Sequence, residues 1–179
     1  MNIEELRNAA ATCELCSLYK GRNKPVFDKG NSKAAIMICG MVPADEENAI
    51  GMPFVGRAGK LLDTIIKDAG LTIEDVYITN LVKCYLAAGL PLHSDWIDAC
   101  LPYLLLQIDA IKPKVIITLG KDASCSLLSM DNKVSLGKVV INNPYLHSGA
   151  KVFATYHPSY LLRGGGEKHK SYFFSSRHL

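Results

Sequence analysis

Short apolar runs separated by helix-like segments constrain the fold of this chain more than any other feature. These runs occupy residues 34–39, 76–79, 115–120 and 151–155. Between them, apolar residues recur at helical spacing, as they do in the segment that begins at Ser94. Continuous apolar strands that alternate with helices are typical of a parallel sheet with right-handed crossovers. We therefore predict an α/β fold built on a parallel sheet.

Length and composition narrow the class of protein further. A chain of 179 residues suits one domain, and 49% hydrophobic with 21% charged residues is an ordinary globular composition. No apolar run approaches the roughly 20 residues of a membrane span, and residues 1–7 lack the apolar stretch of a signal peptide. We expect a cytoplasmic protein that contacts no membrane. The net charge of +3 only weakly favours acidic partners, so a DNA-binding surface would have to be local.

Polar or turn-forming residues follow three of the four predicted strands. Residues 40–44 follow the first strand, Asn80 follows the second, and residues 157–159 follow the fourth. Ligands of such sheets bind beyond the carboxyl ends of the strands, so these segments predict one shared site. The alternative is that they are only turns, since Gly, Pro, Asn and Ser are common turn residues.

Four of the six cysteines have the placement of metal ligands. Two form a Cys-x-x-Cys pair, one follows the second strand, and one lies on the long helix; these are Cys13, Cys16, Cys84 and Cys100. In an intracellular chain, metal or cluster ligation explains six cysteines better than disulfides do. The spacing leaves three interpretations open, namely an iron–sulfur cluster, a zinc ion, or thiols without a ligand. We interpret Cys39 and Cys125 as core residues.

Three segments together resemble a known family. They are residues 51–62 (GMPFVGRAGKLL), 79–84 (TNLVKC) and 155–163 (TYHPSYLLR). They are similar to the signature segments of family-four uracil-DNA glycosylases, and the resemblance extends over nearly the whole chain, including the four cysteines. It implies a four-stranded parallel sheet with helices on both faces, in a single uracil-DNA glycosylase-like domain over residues 1–179. It also implies a [4Fe–4S] cluster on the four cysteines.

The resemblance implies a role for one residue of each segment in excising uracil. An enzyme that acts on a base in DNA must first flip that base into a pocket. Phe54 would stack on the flipped uracil, and Asn80 would hydrogen-bond to its Watson–Crick edge. His157 would stabilise the negative charge on uracil O2 as the glycosidic bond breaks. Taken one at a time, these residues are better explained as core, turn cap and loop histidine, but taken together they favour an active site.

The last segment would contact the DNA strand. By the resemblance, Ser159 would hold a phosphate, Leu161 would fill the gap left in the base stack, and Arg163 would bind the backbone. The tail beyond it, with Lys168 and Lys170, is either a DNA-facing helix or a frayed end. The expected partner is single- or double-stranded DNA that contains uracil, bound by a monomer.

The first motif departs from family four, which carries an acidic residue and a second glycine here. This chain has Met41 and Ala44 in those places, and the segment Gly40-Met-Val-Pro-Ala resembles family five instead. Met41 and Val42 would bind the base only through backbone N–H groups beside Gly40. Glu47 lies where family four has an acidic residue near the pocket, and it either positions the attacking water or is a solvated loop acid.

These features favour a monofunctional glycosylase that hydrolyses the N-glycosidic bond of uracil in DNA. We expect no lysine in the pocket to form a Schiff base, and therefore no lyase step. The altered residue Met41 supports an alternative, a silenced DNA-binding module such as a lesion sensor or a polymerase accessory. A redox-responsive iron–sulfur protein on the same scaffold is a third hypothesis.

Overall fold

A six-stranded sheet forms the centre of the molecule, which is a computed structural model that describes residues 1–165. The strands are β1 (Lys29–Gly30), β2 (Ile36–Gly40), β3 (Val76–Asn80), β4 (Val115–Leu119), β5 (Tyr145–His147) and β6 (Ala150–Thr155). They lie in the order β1-β3-β2-β4-β6-β5. The four central strands are parallel, as expected, and β1 and β5 add antiparallel edges. The prediction of four strands missed these edges because two or three residues are too short for a periodic pattern.

The helices fill the connections between the strands. Within the described residues they are α1 (Ile3–Ala11), α2 (Asp45–Ile50), α3 (Arg57–Asp68), α4 (Ser94–Ile111), α5 (Lys121–Leu127), α6 (Leu136–Ile141) and α7 (Pro158–Tyr160). Short 3-10 turns lie at Ser17–Lys20 and Ile73–Asp75, and a π-helical turn at Leu161–Gly165 follows α7. None of these helices combines the length and the apolar character needed to span a membrane. The tail residues Lys168 and Lys170 lie outside the described part of the chain.

Both faces of the sheet are covered, as the resemblance implied. Along β2, Met37 and Cys39 belong to a core that includes Leu104 of α4, while Ile38 between them belongs to a second core with Leu62 of α3. Successive side chains of a strand point to opposite faces, so one strand contributes to both cores. A strand buried on both sides reads as a continuous apolar run, which is why the sequence located the central strands well.

Helix α1 brings the N-terminal cysteine pair to the long helix. Asn2 and Glu5 form a capping box that fixes the start of α1. The helix then buries Leu6 and Ala10 in a small core with Phe27, which also contacts α4. The residues that follow α1 are therefore held beside α4.

Candidate active site and cysteine cavity

Gly40, Phe54 and Asn80 meet at the carboxyl end of the central strands. A Cβ atom added to Gly40 would lie 2.4 Å from Asn80 Oδ1 and 2.5 Å from Phe54 Cζ. Glycine at the end of β2 therefore leaves the space in which these two side chains come together. Asn80 is only 2% exposed, and its Oδ1 lies beside the Phe54 ring at the space above Gly40. Its side-chain amide is therefore held at the carboxyl end of the strands, where sheets of this kind bind their ligands.

The backbone holds Phe54 in an unusual conformation. Its φ of 55° is left-handed, which is uncommon for a bulky residue and has an energetic cost. A Cβ atom on Gly59 would lie 1.9 Å from the carbonyl oxygen of Phe54, so the pocket loop rests directly on the first turn of α3. Because the surrounding structure imposes this conformation, the Phe54 ring has a fixed position in the site.

Glu47 of α2 fixes the same loop from the other side. Its Oε1 accepts backbone N–H groups of Val55 and Gly56, each at 3.1 Å, and its Oε2 accepts that of Ala44 at 3.1 Å. The side chain is 8% exposed. The interpretation of Glu47 as a solvated loop acid is therefore wrong, because three converging N–H groups compensate its burial. The carboxylate ties the loop before α2 to the loop that carries Phe54.

His157 faces Phe54 and is held as a neutral imidazole. The ring centroids of the two residues are 5.8 Å apart, with 28° between the ring planes. Nδ1 accepts the backbone N–H of Ser159 at 3.1 Å and lies 2.9 Å from the Ser159 hydroxyl. Burial, and then the nearby charge of Arg163, lower the pKa of His157 to about 4, although Glu47 acts in the opposite direction. Since Nδ1 is an acceptor, the single proton lies on Nε2, which is a hydrogen-bond donor.

The structure also locates the remaining residues of the last segment. Ser159 is occupied with His157, as described above. Leu161 is partly buried, whereas Arg163 is exposed and near enough to His157 to affect its pKa. Ser159 lies on α7, and Leu161 and Arg163 lie on the π-helical turn that follows it. Their contacts with DNA stay predictions.

Met41 and Val42 lie between the pocket and the core. The carbonyl oxygens of Gly40 and Met41 accept the N–H groups of Leu81 and Val82, each at 2.9 Å, which joins the loop after β2 to the loop after β3. Met41 and Val42 are both partly buried, and Val42 packs against the core shared with α4. Their binding of a base through backbone N–H groups stays a prediction.

The four ligand candidates come together around one cavity. Cys13, Cys16, Cys84 and Cys100, which come from three segments distant in the sequence, all line it. Arg22 Nη1 donates to Cys84 Sγ at 3.0 Å, so a cation faces the thiol cluster. Cys39 and Cys125 are buried elsewhere, in two different cores, as expected of structural cysteines.

Burial and hydrogen bonds act in opposite directions on the thiols of this cavity. Among residues 1–165, no three His, Cys, Asp or Glu side chains are close enough to bind a single metal ion. Burial raises the pKa of Cys100 to about 11 and also raises that of Cys84. The neighbouring N–H groups of Arg22 and Lys83 favour the thiolate forms of Cys84 and Cys100, which are the forms that bind metal.

Lys83 is a buried residue of the site that the sequence motifs did not indicate. Its side chain is 2% exposed, and Nζ donates to Thr79 Oγ1, to the Asn80 carbonyl oxygen and to Gln107 Oε1. All three protons of the ammonium group are engaged inside the protein, so Lys83 is not a free amine for a Schiff base. A lysine between the apolar residues of TNLVKC, directly before a ligand cysteine, was the signal that could have revealed it.

Comparison with known proteins agrees with this arrangement. The family model of the uracil DNA glycosylase superfamily matches residues 27–176. A relative from Saccharolobus solfataricus, named type-4 uracil-DNA glycosylase, is 43% identical over 168 residues, which cover 90% of this chain and 77% of the relative. A Thermotoga maritima protein of the same name is 42% identical over 84% of this chain and 78% of its own length.

A type-5 relative bears on the altered first motif. It is named type-5 uracil-DNA glycosylase, comes from Pyrobaculum aerophilum, and is 29% identical over 79% of this chain and 67% of its own length. Similarity to both types is consistent with a family-four chain whose segment after β2 resembles family five. The match over most of the sequence shows that this chain belongs to the uracil DNA glycosylase superfamily.

Proposed function

We propose that this protein is a monofunctional uracil-DNA glycosylase, one domain over residues 1–179, that hydrolyses the N-glycosidic bond of uracil in DNA. The observation that carries the proposal is the convergence of the buried Asn80 amide and the Phe54 ring over Gly40, at the carboxyl end of the parallel strands. An amide offers one acceptor and two donor protons, which match N3–H and O4 of uracil. The relatives named type-4 uracil-DNA glycosylase support the same substrate.

In the proposed reaction, His157 stabilises the departing base. Uracil leaves with its bonding electron pair, and negative charge grows on O2. The Nε2–H group of a neutral imidazole donates a hydrogen bond to that oxygen, while Ser159 holds Nδ1 as the acceptor. A donor oriented before the reaction, in a site with little water, stabilises this charge without further rearrangement. Phe54 would contact the face of the base.

Water attacks the sugar carbon once the bond has weakened, and Glu47 is our candidate to hold this water. Three backbone N–H groups already occupy three of the roughly four acceptor positions of its carboxylate, which leaves about one for water. The first task of Glu47 is therefore to hold the pocket loop. Met41 and Val42 contribute backbone groups alone.

DNA is the proposed partner, bound by a monomer. Ser159 would contact a phosphate, Leu161 would enter the gap left by the flipped base, and Arg163 would bind the backbone. The position of all three on the turn that follows His157 supports this assignment.

A [4Fe–4S] cluster is the proposed cofactor, held by Cys13, Cys16, Cys84 and Cys100. Four thiols around one cavity provide the donor set of such a cluster. Structural zinc sites usually have two close cysteine pairs, so one pair with the isolated Cys84 and Cys100 fits zinc less well. When bound, the cluster joins the segment after α1 to α4 and to the loop after β3. Anaerobically purified protein should be brown, with about four irons per chain. A colourless protein that contains one zinc ion would contradict this proposal.

The decisive experiment is excision from uracil-containing single- and double-stranded oligonucleotides, followed by alkaline cleavage and electrophoresis. The wild-type protein should excise uracil, and His157→Ala should reduce the rate by ~10²–10³, the scale of one lost oxyanion donor. Binding to uracil-containing DNA should change little, because that stabilisation exists mainly in the transition state. If His157→Ala excises uracil as fast as the wild type, the proposed mechanism is wrong.

A variant at Met41 distinguishes the two hypotheses, an active enzyme and a silenced DNA-binding module. Met41→Glu restores the acidic residue that family four carries in this motif. If the wild-type protein excises no uracil and Met41→Glu does, the chain is a silenced glycosylase that binds DNA. Excision by both proteins supports the enzyme.

A further inference from the structure

Lys83 lies directly beneath the residue that we propose to recognise uracil. Its Nζ is 2.5 Å from the carbonyl oxygen of Asn80, 2.8 Å from Thr79 Oγ1 and 2.6 Å from Gln107 Oε1. Asn80 is the last residue of β3, where the regular ladder of the sheet ends. The ammonium group therefore holds the peptide unit that carries the Asn80 side chain.

The polar contacts of Lys83 continue to the protein surface. Gln107 Nε2 donates to Tyr77 Oη at 2.7 Å, and Tyr77 Oη donates to Asp28 Oδ2 at 2.9 Å. Asp28 is in turn paired with Arg7 of α1, with 2.9 Å between Asp28 Oδ2 and Arg7 Nη2. Five side chains thus connect α1, α4 and β3 to the backbone of Asn80. A connected network of this kind holds its members in one geometry.

The backbone of Lys83 lies at a junction between the two sites. Its N–H group is 3.3 Å from Cys100 Sγ, and the next residue is Cys84. Lys83 is also one of the residues that line the cysteine cavity. One residue thus contacts the cofactor ligands with its backbone and Asn80 with its side chain.

Burial of an ammonium group is expensive, and a core position needs no charge. An apolar side chain of similar length would fill the same volume at lower cost. The network pairs all three N–H donors, which compensates the burial but does not explain why a charge is present. The contact that an apolar side chain could not make is the hydrogen bond to the Asn80 carbonyl oxygen, which fixes the orientation of Asn80.

We propose that Lys83 is a positioning residue for base recognition, which orients Asn80 toward uracil and keeps it there in the absence of DNA. This inference rests on the proposed uracil-DNA glycosylase function. Lys83 acts through Asn80 and contacts neither the base nor the sugar. Loss of its side chain should lower the preference for uracil and leave general DNA affinity intact, because phosphate contacts lie elsewhere.

The test compares Lys83→Met with Gln107→Leu. Each replaces one member of the same buried network with an apolar residue of similar size, but only the first removes the donor to Asn80. The probe is a single-stranded oligonucleotide with one 2′-fluoro-deoxyuridine, which resists cleavage, and the reference is the same strand with thymidine. The measured quantity is the ratio of the two dissociation constants, with iron content and unfolding free energy determined for each protein.

We expect Lys83→Met to reduce the preference for uracil, which is the dissociation constant for the thymidine strand divided by that for the uracil strand, by about tenfold or more. This is the scale of one lost hydrogen bond in a buried network. Its affinity for the thymidine strand and its iron content should match the wild type. Gln107→Leu should lose stability but keep the ratio within about threefold. If Lys83→Met does not fold, Lys83→Gln replaces it in the test with the same expected result. The glutamine side chain is one atom shorter than that of lysine, so its amide would not reach the Asn80 carbonyl oxygen.

The failures of the two proposals are distinguishable. A wild-type protein without preference for the uracil strand contradicts the proposed function and this inference with it. A strong wild-type preference that Lys83→Met retains overturns the inference alone. An equal loss of preference in Gln107→Leu also overturns it, because the network would then serve only the fold.

Discussion

Replacement of Gly40 by alanine tests the geometry of the pocket directly. The new Cβ would lie 2.4 Å from Asn80 Oδ1 and 2.5 Å from Phe54 Cζ, both well inside van der Waals contact. Phe54 cannot easily retreat, because its left-handed backbone rests on Gly59 and Glu47 fixes the residues after it. The Asn80 amide should therefore rotate out of position, and base recognition should be lost first.

The magnitude follows from two separate effects. Insertion of one methyl group into a packed site costs about 1–3 kcal/mol of stability. Displacement of the Asn80 amide removes hydrogen bonds to the base, which corresponds to ~1–3 kcal/mol, or about 5- to 150-fold in selectivity for uracil. The loss of selectivity should exceed any loss of affinity for undamaged DNA, because the methyl group touches no residue that we place on the DNA strand.

Paired binding and excision assays on uracil- and thymidine-containing strands check this expectation. Gly21→Ala is the matched control, since Gly21 has a φ of −102° and a Cβ there would have no atom within 4 Å. The control should behave as the wild type in both assays. Full selectivity in a folded Gly40→Ala protein would refute the convergence of Gly40, Asn80 and Phe54 as the base pocket.

Three further predictions concern the acid, the histidine and the cysteines. Glu47→Gln should lower the unfolding free energy by ~1.5–3 kcal/mol, because an amide NH2 would face a backbone N–H. An unchanged midpoint and slope of the urea unfolding curve would contradict the role of Glu47 in holding the pocket loop. Since the pKa of folded His157 is about 4 and that of the unfolded residue is near 6.5, the unfolded chain binds more protons between these values. The unfolding free energy of the wild type should therefore fall as the pH drops through this window. The fall should exceed that of His157→Gln by up to ~1.4 kcal/mol per pH unit. Parallel curves of unfolding free energy against pH for the two proteins would contradict a neutral His157. Cys39→Ala should keep the full iron content and Cys100→Ser should lose iron, and the opposite pattern would exclude the assigned ligands.

The sequence located the central sheet and most of the site because both depend on local patterns. Doubly buried strands give continuous apolar runs, Asn80 is the last residue of one such strand, and His157 lies two residues beyond the end of another. The roles of Glu47 and Lys83 could not be read in the same way. Each is a charged residue whose partners are brought to it only by the fold. The apolar neighbours of Lys83 indicate burial, but no local pattern shows which groups either side chain contacts.

Two buried charges of opposite sign support the two walls of the pocket, which bears on the altered first motif. Glu47 fixes the loop that carries Phe54 through backbone N–H groups, and Lys83 fixes Asn80 through its carbonyl oxygen. Both supports lie outside position 41, so the geometry of the walls does not depend on an acidic residue there. Preorganised donors and a fixed aromatic ring are what electrostatic catalysis of base departure requires. Met41 thus changes only the side chain of the first motif, whereas Phe54 and Asn80, which we propose to bind uracil, keep their own supports.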